Sequence, residues 1–189
     1  MPILPYAGAT TPTNPNRGIL APTFVVHGTK KFLDRVHSPA LPAPDLRPAT
    51  TILGAWYATV LFWQPQVALF VNEPTRLPLF VPLSPGATVI ARMTQTATAV
   101  FTALALSEGF IAQEIAEMGS HQLTKTTNRS VLGTTNDFAY LADAHRAPNK
   151  ATDLLELSLR LAQTPCGPLY RSHVSPDREI TAYITEHTH

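Results

Sequence analysis

The sequence predicts an α+β chain: a mostly antiparallel sheet containing a three-stranded meander, with helices packed on it, in the order β-α-β-β-β-α-α-β-α-α. Three observations carry this reading. Aromatic and β-branched runs at 56–63, 67–72 and 76–82 are separated by two short Pro-containing turns. Apolar residues then recur at helical spacing through 87–118, 129–144 and 153–163. Finally, 9 of the 18 prolines fall within the first 48 residues, so the N-terminal region is broken into short pieces.

Each element has a local reason. Residues 1–21 are rich in Pro, Thr, Asn and Gly without a period and form an irregular arm. Residues 23–26 read as a short strand, and 29–36 as a short helix with Phe32, Leu33 and Val36 on one side. Residues 37–50 hold Pro39, Pro42, Pro44 and Pro48, each of which also restricts its predecessor, so they form an extended linker. In the meander the middle strand is apolar on both faces, which asks for cover on both. Pro78 cannot donate a ladder hydrogen bond, which places the third strand at an edge or a bulge.

Ser84-Pro85-Gly86 opens a helix over 87–106, with Val89, Met93, Ala97, Val100 and Leu104 on one face and a Thr-rich outer face. Gly109 separates it from a helix over 110–118. Residues 121–126 alternate as a strand. The helix over 129–144 buries Val131, Phe138, Leu141 and Ala142, and Pro148 stops it. Gly133 costs helix propensity, which is explained if it packs closely against the sheet. After the last helix, 153–163, the tail has turns at Pro165, Pro168 and Pro176 and a short strand at 180–184. The expected organisation is an arm (1–21), one α+β domain (22–163) and a Pro-punctuated tail (164–189) that packs on or flanks the domain.

Composition narrows the function classes. The chain has 189 residues, 44% hydrophobic, which is enough for one domain with a core. Only 14% are charged, below the roughly 25% of a typical domain, and 24 threonines fill part of the gap. Collagen, coiled coil and disulfide scaffold are excluded. The net charge of +1 is small for a nucleic-acid-binding chain. It is uneven, however: residues 1–107 hold seven basic and three acidic groups, and 108–119 hold three acidic and no basic ones. The lone Cys166 can form no intrachain disulfide, and the start of the sequence has neither a basic n-region nor an apolar h-region. The expected setting is cytoplasmic, away from membranes.

No GxGxxG, P-loop, HExxH, paired CxxC or GxSxG occurs in the sequence, so no catalytic residue and no cofactor is assigned. Cys166 and His173 lack the further ligands a metal site needs, and Cys166 reads as a partly buried thiol. Two strand-to-helix junctions stand out. At His27-Gly28-Thr29-Lys30-Lys31, helix N–H groups, a capping Thr29 and the lysines Lys30 and Lys31 would suit an anion, though an ordinary capped helix with solvated lysines is the favoured explanation, since a cap needs no ligand. At the second junction Thr127 or Asn128 caps, with Lys125, Arg129 and Ser130 around the positive end of the helix, and Asn136 reads as a buried amide in need of partners. Trp56, opening a strand, and Asn72, at a strand end beside a Pro turn, complete the candidate ligand-binding set. Core packing and a backbone-bonded turn are their ordinary roles.

The segments HGTKKFLDRV, LGAWYATVLFW, VALFVNEPTRLPLF and KTTNRSVLGTTNDFAYLA, in this order over residues 23–145, resemble a bacterial family described as a domain of unknown function, number 6933. The last segment fits best in register. The resemblance implies a small intracellular α+β domain without recognised catalytic residues.

The leading expectation is a non-enzymatic binding module. Lys30, Lys31, Lys125 and Arg129 would converge into a positive patch for a phosphate, a nucleotide or RNA. A second class is an enzyme acting on a small phosphorylated or amide substrate, with Lys125, Asn136 and Asp137 as its polar groups. A third is a protein–protein module that uses the Pro-rich arm and the Leu-rich last helix. An enclosed pocket with a perturbed acid or base marks an enzyme, and an open basic surface marks a polyanion reader.

Overall fold

The computed structural model describes residues 23–37, 39–146 and 152–188. The arm expected at 1–21 and the stop expected at Pro148 lie outside the described residues.

Five strands form one sheet in the order β4-β3-β2-β1-β5. They are β1 (Phe24–Gly28), β2 (Trp56–Leu61), β3 (Val67–Asn72), β4 (Pro78–Pro82) and β5 (His121–Lys125). The helices are α1 (Lys30–Val36), α2 (Val89–Ala103), α3 (Glu108–Glu117), α4 (Arg129–His145), α5 (Leu154–Ala162) and α6 (Pro176–His187).

The meander is present: β2 and β3 pair antiparallel, as do β3 and β4. The other half of the sheet is not antiparallel. β1 runs parallel to both β2 and β5, so the sheet is mixed. The reason is connection length. The five-residue connections 62–66 and 73–77 reverse the chain, whereas the helix-containing connection 29–55 carries the chain back across the sheet and returns it in the same direction. A second correction concerns the tail, where 180–184 is helical and not a strand. Pro176 sits at the first helical position, where its missing N–H costs nothing, and Ile180 buries completely against the core.

Period-two alternation divides the strand side chains between two cores. Phe24, Val26, Trp56, Ala58, Phe70, Leu79 and Val81 face α1, α2, α3 and α6, around Phe32, Met93, Phe101, Phe110 and Ile180. Tyr57, Leu61, Leu69, Val71 and Phe80 face α4 and α5, around Val131, Phe138, Leu157 and Leu161. Both faces of the middle strand are therefore covered, and the fold has three layers. On α2, Thr94, Thr98 and Thr102 each donate a hydroxyl hydrogen bond to the carbonyl one turn back, at 2.8–3.1 Å, which keeps that polar row satisfied on a helix of modest propensity.

Both sheet edges are managed. β4 is an edge strand bracketed by prolines, and its Phe80 N–H donates to the buried Ser158 hydroxyl of α5 at 3.0 Å. On the other side the Pro-rich linker lies along β5: Leu41 N–H donates to the Leu123 carbonyl at 2.7 Å, and Arg47 N–H to Gln122 at 3.0 Å. Among the described residues, no helix is long and apolar enough to cross a membrane.

Candidate functional site

Because β5, β1 and β2 are parallel, their C-terminal ends lie side by side at one end of the sheet. Gly28 stands opposite Lys125 on one side and Ala58 on the other. The two loops that leave this end are pinned by backbone bonds, Thr126 N–H to the Gly28 carbonyl at 3.3 Å and Thr29 N–H to the Ala58 carbonyl at 2.9 Å. They then diverge. After Gly28 the chain enters α1, which packs in the core containing Phe32. After Lys125 it enters α4, which packs on the opposite face. Open sheets with parallel strands take ligands where adjacent connections part in this way, because the departing helices leave a crevice at the carboxyl ends of the strands.

That crevice measures about 530 Å³ and is lined by Gly28, Lys30, Leu33, Asp34, Lys125 and Thr126 among others. Gly28, at its base, lets α1 pack closely on β1: a Cβ there would stand 2.8 Å from Leu33 and 2.9 Å from Phe32. Lys30 pairs with Asp34 at 2.7 Å, with side chains 89% and 58% exposed. Such a pair is weak in water, so an anion can recruit the ammonium. Lys125 is exposed on the opposite wall.

The two helix starts differ. At α1 the Thr29 side chain caps nothing; its hydroxyl lies 3.2 Å from that of Thr59, and the first amides of α1 have no side-chain cap. At α4 the cap is Asn128, whose carbonyl oxygen accepts from Ser130 N–H at 3.0 Å and Val131 N–H at 3.3 Å. Its amide group donates to Glu73 at 2.9 Å. Asn128 caps as expected, whereas the cap expected of Thr29 is not made, so of these two helix starts α1 is the one without a side-chain cap.

The basic candidates and Ser130 fall into three groups. Lys30 and Lys125 share the crevice. Lys31 turns outward over the Phe62 ring, 5.5 Å from its centroid. Arg129 and Ser130 are exposed at the start of α4; Arg129 makes no ion pair among the described residues, and Ser130 accepts from Arg76 at 3.4 Å.

Asn136, expected to be a buried amide, is exposed, as are Asp137 and Gly133. A Cβ at Gly133 would meet nothing within 4 Å, so Gly133 does not pack against the sheet. The reason is helical phase: α4 buries Val131, Thr134, Thr135, Phe138 and Ala142, and 133, 136 and 137 lie on the other side. Trp56 is fully buried in the core. Asn72, also fully buried, donates to the Leu53 and Ala55 carbonyls and accepts from the Thr75 amide and hydroxyl, so it organises the β3–β4 turn and has no capacity left for a ligand.

Beneath the start of α4 lies a polar cluster absent from the sequence-derived set. The His27 ring stacks on Tyr57 at 4.6 Å between centroids, and its Nδ1 lies 3.3 Å from the Lys125 carbonyl oxygen. The Tyr57 hydroxyl donates to Glu73 at 3.4 Å; burial, and then the Glu73 charge, hold it above the ordinary tyrosine value. Arg76, in a left-handed backbone conformation at φ 61°, donates to the Glu73 carbonyl and to Ser130, and burial lowers its pKa. Cys166 is buried, its Sγ 4.0 Å from the Thr134 hydroxyl, and burial raises its pKa. This network ties the β3–β4 turn to the start of α4. Strand alternation carried part of the signal, since His27 and Tyr57 are both out of phase with the apolar face that includes Val26 and Trp56.

Residues 25–179 match the model of the family described as Domain of unknown function (DUF6933). The chain belongs to this family, and the matched region includes both junctions and the tail as far as α6. No curated protein and no solved structure matches the chain.

Proposed function

We propose that this protein is a non-enzymatic binding module whose ligand carries a phosphate group held in the crevice between β1 and β5. The observation that carries this reading is the register of Gly28 against Lys125 with the following helices leaving to opposite faces. It puts a glycine and two lysines around one opening. An anion there would gain charge-assisted hydrogen bonds from Lys30 and Lys125, roughly twice as strong as neutral ones. Of the residues named for the enzyme alternative, Lys125 lines the crevice, whereas Asn136 and Asp137 are exposed on α4 and do not.

The test is calorimetric titration with inorganic phosphate and with nucleoside monophosphates at low ionic strength. Binding that falls steeply with salt, and that weakens about tenfold or more in Lys30→Ala/Lys125→Ala, is the expected result. Arg129→Ala, outside the crevice lining, is expected to have a smaller effect. Absence of binding at low salt, or unchanged affinity in the double variant, would refute the reading.

A further inference from the structure

Resting on the crevice as the phosphate site, we infer that the ligand is a single-stranded nucleic acid, with Phe62 as the platform on which a base stacks. Phe62 follows directly on β2, whose C-terminal end lies beside those of β1 and β5. Ala58 is level with Gly28, so Phe62 stands four residues further along, about 13 Å beyond the crevice floor at roughly 3.3 Å per residue. Its neighbours on the β2 end, Leu61 and Trp63, are 7% and 6% exposed, whereas the Phe62 ring is 57% exposed.

Two cations attend this ring. Lys31 Nζ lies 5.5 Å and Arg35 Cζ 5.7 Å from its centroid, and Arg35 is held by a 2.9 Å bond to Gln66. Lys31 and Arg35 sit one turn apart on α1, and Lys30, next to Lys31, lines the crevice. The sheet end therefore carries Lys125 and Lys30 at the crevice and, further along, the half-exposed Phe62 with Lys31 and Arg35 over its ring. Against these α1 has one carboxylate, Asp34, already paired with Lys30. A mononucleotide in the crevice would leave Phe62 and Arg35 unused. A strand of several nucleotides places successive phosphates along the cations and a base on the ring, and this combination of basic track and aromatic step binds single strands with little sequence preference. A duplex cannot use the ring, because its bases are already stacked on one another.

The experiment is fluorescence anisotropy with labelled 12-nucleotide RNA and DNA strands, the corresponding RNA duplex and a labelled nucleoside monophosphate. The proteins compared are the wild type, Phe62→Ala, Phe62→Trp and Lys31→Ala/Arg35→Ala. The single strand should bind more tightly than the monophosphate and the duplex. Phe62→Ala should weaken it about tenfold without affecting the monophosphate, and Phe62→Trp should restore it. The double charge variant should weaken it and flatten its salt dependence. The ratio of RNA to DNA affinity identifies which single strand the surface prefers, and either preference supports the inference.

Because Phe62 is exposed, its substitution leaves the core intact, which circular dichroism checks. Single strand and monophosphate binding alike, or Phe62→Ala leaving strand affinity unchanged while the monophosphate still binds, overturns this inference and leaves the crevice reading standing. Loss of binding by every ligand overturns both.

Discussion

Raising the pH from 4.5 to 7 should cost this protein stability through one residue, Glu114. Its side chain on α3 is completely buried, and its carboxylate accepts two backbone bonds, from Ile52 N–H at 2.7 Å and Leu53 N–H at 3.2 Å. Burial raises its pKa, the two N–H donors oppose that, and the nearby Glu117 charge adds to the rise, so the group is pushed up from 4.5 to about 7. The remaining facing group is Tyr183 on α6, whose hydroxyl is itself raised by burial and then by Glu114. Between pH 4.5 and 7 the unfolded chain has released this proton while the folded chain still holds it. The contribution of Glu114 to stability therefore falls as pH rises through this window and is flat on either side of it. At about 1.36 kcal/mol per unit, the fall is on the order of 3 kcal/mol.

Glu114→Gln mimics the protonated side chain and cannot ionise. Urea unfolding of both proteins from pH 4 to pH 8 isolates the effect, because titrating groups not coupled to Glu114 cancel in the difference. The wild type should lose about 3 kcal/mol relative to the variant across pH 4.5–7. A difference that stays constant over that range would refute the reasoning.

Three further outcomes follow from packing. Gly133→Ala, on the exposed face of α4 with open space at the Cβ position, should stabilise by about 1 kcal/mol and raise the melting temperature by roughly 2–4 °C in calorimetry; a lowered melting temperature would contradict the observed helix phase. Asn72→Ala strands the Leu53 and Ala55 carbonyls and the Thr75 donors in the interior and should cost roughly 2–4 kcal/mol in denaturant titration; a loss below about 1 kcal/mol would mean that the turn holds without it. Ser158→Ala removes the acceptor of the Phe80 N–H at the β4 edge and should cost about 1–3 kcal/mol, with faster hydrogen exchange at Phe80 as the local readout.

Much of the fold was legible because it is local. Aromatic and β-branched runs at 56–63, 67–72 and 76–82 and a period of 3.6 at 89–103 and 129–145 are properties of neighbouring residues, and these stretches form the expected elements. Pro78 likewise marked β4 as an edge strand, because a missing donor is a chemical fact about one residue. The tail failed by the same logic. ITAYI alternates enough to suggest a strand, but Pro176 at a helix start and burial of Ile180 against a distant core decided for α6.

The site divides along that line. The sequence alone determined that two strand-to-helix junctions carry basic residues, and it located both. Only the tertiary structure decided that they are adjacent, since the pairing of Gly28 with Lys125 joins residues far apart in the chain. It also decided which junction is open. Asn128 caps α4 and is held by Glu73, whereas Thr29 leaves α1 uncapped, and residue type permits either role at both positions. Exposure was decided there too: Trp56 and Phe62 belong to the same aromatic run, yet one is buried beneath the helices and the other stands open beyond the end of β2. Which of two such rings meets solvent depends on where the packed layers stop, and that is set by the assembly of the whole chain and not by its neighbours in sequence.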